Sequence, residues 1–306
     1  MSDTSYLNWP FFEEHHRTLA STLDAWAKQH MTALTINEHE DLDGTCVALV
    51  RALGDAGFTG YAVPASGGGN HEKLDVRTLC VIRETLARHS ALADFAFAMQ
   101  GLGSGPISLY GSERQQANYL NAVAKGQKIS AFSLSEPNAG SDVAAMTCGA
   151  ERDGDEWVLN GTKTWISNAG IADFYTVFAR SSDAGGAKGI SCFIVEAGTP
   201  GFEVTERIDL IAPHPLGTLQ FSNCRIPAQN LVGEEGRGFG IAMATLDVFR
   251  STVAAAALGM ARRALDETLD YTADRDIFGG KLGDLQLVQA KIGEMALGVD
   301  SSALLV

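Results

Sequence analysis

Ala131-Phe132-Ser133-Leu134-Ser135-Glu136-Pro137-Asn138-Ala139-Gly140-Ser141-Asp142 is the stretch on which the reading of this chain turns. Ala131 to Ser135 sets small or polar residues against Phe132 and Leu134, the alternation of a half-buried strand. Pro137 ends that strand, Asn138, Ala139 and Gly140 predict a tight turn, and Ser141-Asp142 reads as the N-cap of whatever follows. A strand end that offers backbone N–H groups and two serine hydroxyls suits the edge of a polar ring. It also suits an ordinary strand-turn whose serines satisfy the local backbone.

The surrounding chain has 306 residues, 45% of them hydrophobic, enough to bury a sizeable core in two or three structural units. A formal net charge of −14 argues against a nucleic-acid groove or an anionic membrane surface, because phosphate contacts need clustered Lys and Arg. Cys46, Cys80, Cys148, Cys192 and Cys224 are scattered without Cys-x-x-Cys spacing and predict reduced, buried thiols. The histidines show no metal-ligand spacing, so no metal is expected. Asp3, Glu13 and Glu14 mark an N-terminus without a secretory signal, and no apolar run is read as a membrane span. The expected location is cytoplasmic.

An α+β multidomain chain is predicted in three parts: an N-terminal α-helical domain over 1–128, a middle antiparallel β domain over 129–237, barrel- or sandwich-like, and a partial C-terminal helical bundle over 238–306. Phe12, His16, Leu19, Leu23 and Trp26 recur at helical spacing, as do Cys46, Leu49, Val50 and Leu53. Gly67-Gly68-Gly69 reads as a structural connector, since it lacks the Lys-Ser/Thr that closes a P-loop. Gly101-Leu102-Gly103-Ser104-Gly105-Pro106 reads as a break between helices. In the middle part, Glu156–Leu159 and Thr162–Trp165 are read as a hairpin about Asn160-Gly161, a pair suited to a type I′ turn.

After Gly240 the chain returns to helix, with Leu246, Phe249, Val253, Ala257, Ala261, Leu265 and Leu269 predicted on one buried face. A second helix carries Leu285, Val288, Ile292, Met295 and Val299, and its apolar pattern is still running at Val306. About two helices of the bundle are thus expected to be present, with the rest supplied by further sequence or a partner.

With this order of parts, the motifs resemble those of the acyl-CoA dehydrogenase family of flavoproteins, from which the chain would be C-terminally truncated. Phe132 to Asp142 looks like the family signature, Trp165-Ile166-Ser167 like a second flavin-contacting segment, and Arg275-Asp276-Ile277-Phe278-Gly279 with Gln286 like a third. The resemblance implies FAD as cofactor, held by Phe132, Leu134, Ser135, Ser141, Trp165, Ile166, Ser167, Arg275, Phe278 and Gln286. It implies an acyl-CoA substrate contacted by Ser141, Asp247 and Arg250, and α,β-dehydrogenation with electrons passed to an electron-transfer flavoprotein. The third segment serves a neighbouring subunit, which implies a homodimer or homotetramer, or a hetero-oligomer that supplies the missing helices. The flavin gains negative charge around N1 and C2=O on reduction, which the Leu134 region and Ser135 suit, while Ser167 suits N5.

One departure bears on chemistry. The family's catalytic glutamate is expected beyond Val306, and the alternative position, one residue before Arg250, holds Phe249. No catalytic residue is therefore assigned, and Glu136 is left to the signature turn. A second departure is Ile211-Ala212-Pro213-His214-Pro215-Leu216, where His214 is read as structural. An acyl-CoA oxidase or nitroalkane-oxidase-like relative is an alternative within the class, and a non-catalytic subunit retaining the fold is one outside it.

Overall fold

The computed structural model describes residues 5–306. Five helices come first: α1 (Glu14–Leu34), α2 (Leu42–Asp55), α3 (Val76–His89), α4 (Ala91–Tyr110) and α5 (Glu113–Ala124). Eight strands follow: β1 (Ser130–Ser133), β2 (Gly149–Asp153), β3 (Glu156–Ser167), β4 (Phe174–Arg180), β5 (Ile190–Glu196), β6 (Phe202–Arg207), β7 (Leu216–Pro227) and β8 (Leu231–Val232). The chain then forms α6 (Gly238–Asp274), a small hairpin of β9 (Asp276–Ile277) and β10 (Gly280–Lys281), and α7 (Gln286–Leu305). The helical, β and helical parts appear in the predicted order.

The sheet order is β6-β7-β3-β2-β4-β5-β8, with β1 added beside β4. Most pairs are antiparallel, but β1 runs parallel to β4 from Ser130 opposite Phe174 to Ser133 opposite Val177, so the sheet is mixed. Two compact units can be separated. One comprises Leu34–Asp75 and Phe95–Phe249, and the other Met1–Ala33, Val76–Asp94 and Arg250–Val306.

Within the first of these units, the core joins Ile107, Leu120 and Val123 to Phe174, Phe178, Ile190 and Ile194 of the sheet and to Ile241 and Ala242. The Gly101 to Pro106 stretch does not interrupt a helix, because α4 runs through it. Its glycines serve close approach. A Cβ on Gly103 would lie 2.7 Å from the Ala131 nitrogen, and one on Gly101 2.6 Å from the Phe249 ring.

The predicted Asn160-Gly161 hairpin is likewise absent, for β3 continues through both residues. The reversal lies earlier, where Asp153 pairs with Glu156 across Gly154-Asp155, and Gly154 takes a φ of 60°. Asn160 and Gly161 instead face a bulge in β7. Leu159 pairs with Cys224 but Gly161 with Phe221, and Asn160 Oδ1 accepts from Asn223 N–H at 2.8 Å. The tolerance for positive φ that marks Asn-Gly as a turn is used here for irregularity inside a sheet.

In the second unit, α6 turns a different face inward from the one its hydrophobic spacing predicts. Thr252, Ala255, Ala256, Gly259 and Arg262 are buried, whereas Val253, Ala257 and Ala261 are exposed. Polar pairing decides the side: Arg83 Nη1 donates to Thr252 Oγ1 at 3.0 Å and Arg262 Nε to Glu84 at 2.6 Å. On α7, Val288, Ile292 and Met295 are half-buried and Val299 buried, as predicted, whereas Leu285 and Val306 lie outside the helix and are exposed. Although no apolar run was read as spanning length, α6 is long and apolar enough to cross a membrane by length and composition, with a best window of mean hydropathy 1.4. None of the five cysteines is in a disulfide, and all are buried.

Candidate functional site

The signature stretch leaves the sheet at Ser133 and reverses at once. Glu136 and Ala139 exchange both backbone hydrogen bonds, each 3.1 Å long, around Pro137 and Asn138. Only one 3₁₀ turn, Val143–Ala145, follows, and Asp142 makes no side-chain capping bond, so the N-cap expected at Ser141-Asp142 does not form. The loop is closed from below by Glu136. One of its oxygens accepts from Thr147 N–H at 2.7 Å and Thr147 Oγ1 at 3.0 Å, the other from Cys148 N–H at 2.9 Å.

The second segment is displaced outward by another bulge. Lys163 pairs with Leu219 and Ile166 with Gly217, so β3 carries one extra residue between them. Trp165 takes up that residue at a φ of 59°, a left-handed conformation that costs a bulky L-residue roughly 1–2 kcal/mol. Trp165 is 58% exposed although its neighbours Thr164 and Ile166 are buried. The two segments are laced together: Thr164 N–H donates to Ser135 O and Lys163 Nζ to Leu134 O, both at 3.0 Å.

These segments enclose a cavity of about 560 Å³. Phe132, Leu134, Ser135, Ser141, Trp165, Ile166 and Ser167 all line it. Asp247 and Arg250 are exposed on α6, Asp247 directly after the lining residue Leu246. Arg275, Phe278 and Gln286 are not in the lining and belong to the other unit. There, Phe278 and Gly279 form the two-residue turn between β9 and β10, at φ 50° and 81°, and Phe278 projects 92% exposed. His214 is not in the lining either. Its ring meets that of Phe95 at 4.5 Å, tilted by 42°, and its Nδ1 lies 3.0 Å from Ala212 O.

The lining fits a flat aromatic group with a polar edge. Met99, Leu102, Phe132, Trp165, Ile166 and Met243 supply apolar surface. Among the described residues, none bonds the hydroxyls of Ser135, Ser141 or Ser167, so three donors stand ready at the cavity. Beneath it lies a pair that sequence reasoning did not assign: Lys163 Nζ donates to Glu136 Oε1 at 2.8 Å, the lysine fully buried and the glutamate 5% exposed. The signal was available, since Lys163 has the same parity along the strand as the inward Trp157 and Leu159. Burial alone would raise the Glu136 carboxyl, but the Lys163 charge and the bonds from Lys163, Thr147 and Cys148 together hold it below the usual carboxylate range. Burial pushes the Lys163 ammonium down and lifts the adjacent Cys148 thiol to about 11.

Family models match along the chain. The acyl-CoA dehydrogenase N-terminal domain matches residues 13–127, the middle domain 131–224 and the C-terminal domain 236–306. The probable acyl-CoA dehydrogenase FadE25 of Mycobacterium tuberculosis is 38% identical over 295 residues, 96% of this chain and 75% of that protein. A solved structure described as the electron transferring flavoprotein of Acidaminococcus fermentans superposes with TM-score 0.88 at 33% identity, over 95% of this chain and 76% of the other. A glutaryl-CoA dehydrogenase from Mycobacterium smegmatis in complex with FADH2 gives TM-score 0.85 at 29% identity, over 99% and 76%.

Proposed function

Because this chain belongs to the acyl-CoA dehydrogenase family, we propose that it catalyses FAD-dependent α,β-dehydrogenation of an acyl-CoA thioester and passes the electrons to an electron-transferring flavoprotein. The family consists of oxidoreductases acting on CH–CH groups with FAD as cofactor. The observation that carries the reading is the cavity itself. Two segments far apart in sequence bring Ser135, Ser141 and Ser167, all without a hydroxyl partner among the described residues, around apolar walls.

When bound, FAD supplies the hydride acceptor. The protein's part is placement and polarisation. Ser135 and its N–H serve the pyrimidine edge of the ring, Ser167 the region of N5, and Phe132, Leu134, Trp165 and Ile166 exclude water from it. Ser141, at the rim, and Asp247 and Arg250 on α6 are assigned to the CoA thioester side. Arg275, Phe278 and Gln286 are assigned to the FAD of a neighbouring subunit, with Phe278 presented on its exposed hairpin, which makes the working form a homodimer or homotetramer. Glu136 is not the acceptor of the α-proton, because both its oxygens are engaged by Lys163, Thr147 and Cys148.

The test is anaerobic titration of the FAD-loaded protein with straight- and branched-chain acyl-CoAs. Bleaching of the oxidised flavin band by at least one thioester, with turnover restored by an electron-transferring flavoprotein, is expected. A flavin-loaded protein inert to the whole panel would overturn the reading, and fast reoxidation by air with peroxide release would make it an oxidase.

A further inference from the structure

We propose that Lys163 is a positioning residue that aims and polarises the Leu134–Ser135 peptide toward the cavity, and thereby sets the reduction potential of the flavin bound there. The inference rests on the FAD reading above and adds a residue that touches neither cofactor nor substrate.

The argument begins with peptide geometry. In a planar trans peptide the carbonyl and the following N–H point in opposite directions, and no peptide in the described chain is cis. Lys163 Nζ holds the Leu134 carbonyl at 3.0 Å from beneath the loop. The Ser135 N–H is therefore directed away from Lys163. Ser135 lines the cavity, and its N–H has no acceptor among the described residues. Thr164 N–H holds the next carbonyl, Ser135 O, at 3.0 Å, so the peptide is gripped at consecutive residues and cannot rotate freely.

The donor on the carbonyl is an ammonium rather than another amide. A charged donor strengthens a hydrogen bond, and bonds in series polarise one another, so the Ser135 N–H becomes a stronger donor than an isolated peptide. That donor acts where negative charge accumulates in the reduced ring. Glu136 keeps the arrangement in place. It pairs with the ammonium at 2.8 Å and, through Thr147 and Cys148, ties the far end of the loop to the same point. A simple anchoring pair would not need the second Lys163 bond, to a main-chain carbonyl bordering the cavity. Both side chains are buried, so water does not replace either if it is lost.

The inference is tested by potentiometry and by one NMR resonance. Replacing both charges together, Glu136→Gln with Lys163→Met, avoids a stranded buried ion, while Lys163→Arg retains the charge. Leu134-Ser135 is the only Leu-Ser pair in the chain, so carbonyl-¹³C leucine with ¹⁵N serine reports that amide alone. In the wild type, FAD is expected to shift the Ser135 amide and slow its exchange. The double variant is expected to favour the reduced flavin about tenfold less, a potential lower by roughly 30 mV for a two-electron couple, with recovery in Lys163→Arg. A folded double variant with wild-type potential overturns the inference. So does a wild-type Ser135 amide unmoved by bound FAD, a result that needs no variant to fold. Wild-type protein that takes up no FAD overturns the proposed function and this inference with it, whereas bound FAD with either negative result overturns this inference alone.

Discussion

Arg83 and Asp94 are joined by two parallel hydrogen bonds, Nε to Oδ1 at 2.8 Å and Nη2 to Oδ2 at 2.7 Å, in a site where both side chains are at least 90% buried. Arg83 Nη1 reaches Thr252, so this pair ties α3 and the first turn of α4 to the part of α6 that follows Arg250, all within one unit. Removing one partner leaves a buried charge uncompensated. Asp94→Ala is expected to cost about 3–5 kcal/mol, read as a drop in denaturant midpoint. Exchanging both residues for apolar ones, Arg83→Met with Asp94→Leu, should recover most of it. A single variant as stable as wild type would show that the pair does not hold the helices.

Acid should weaken the signature loop by a route set by Glu136. Its folded-state carboxyl lies below the ordinary value, with burial opposing the shift and Lys163 and the loop donors outweighing it. The sign follows from linkage: the contribution is full above the unfolded value of about 4.3, falls as pH drops below it, and is gone below the folded value. Stability measured from pH 6 to pH 3 should therefore decline less steeply in Glu136→Gln than in wild type. Parallel curves would remove Glu136 from the acid response.

Trp165 separates folding from binding. At a φ of 59° the indole sits on strained backbone and is mostly exposed, so Trp165→Gly relieves strain while losing little burial. The melting temperature should stay within about 2 °C of wild type. FAD affinity, followed by quenching of flavin fluorescence, should fall roughly tenfold, the worth of about one aromatic contact. A large loss of thermal stability with unchanged affinity would reverse these roles.

Gly259 supplies a test of the face that α6 buries. Alanine is the better helix former by about 1 kcal/mol, so on an open face Gly259→Ala would stabilise the chain. In this structure an added Cβ falls onto the Glu84 carbonyl oxygen of α3. A net loss of about 1–3 kcal/mol is expected from overpacking, and a gain in stability would mean that α6 turns another side inward.

Much of the molecule was legible from local pattern. The order of helical, β and helical parts follows from periodicity, and Phe132 to Ser135 and Trp165 to Ser167, singled out by their resemblance to family motifs, contribute residues to the lining of one cavity. Other features were not legible. Gly101 to Pro106 looked like a break because glycine and proline disfavour an isolated helix, yet α4 continues where Ala131 and Phe249 need room against its backbone. Asn160-Gly161 looked like a reversal because positive φ was read as a turn, whereas the chain uses it beside a bulge. The inward face of α6 was misassigned beyond the buried Phe249, because hydrophobic spacing cannot see that Thr252 and Arg262 are offset by partners on α3.

The sequence by itself determined the class of fold, which is written in short-range periodicity, and it marked the segments that meet at the cavity through motifs that resemble those of a family. Only the tertiary structure decided which peptide those segments present and what stands behind it. Lys163 reads as an ordinary strand lysine until the loop 27 residues earlier packs against β3 and places Glu136 on its ammonium. Hydrogen bonds between residues that far apart depend on register and bulges, and a one-residue change in either would turn the same lysine out to water.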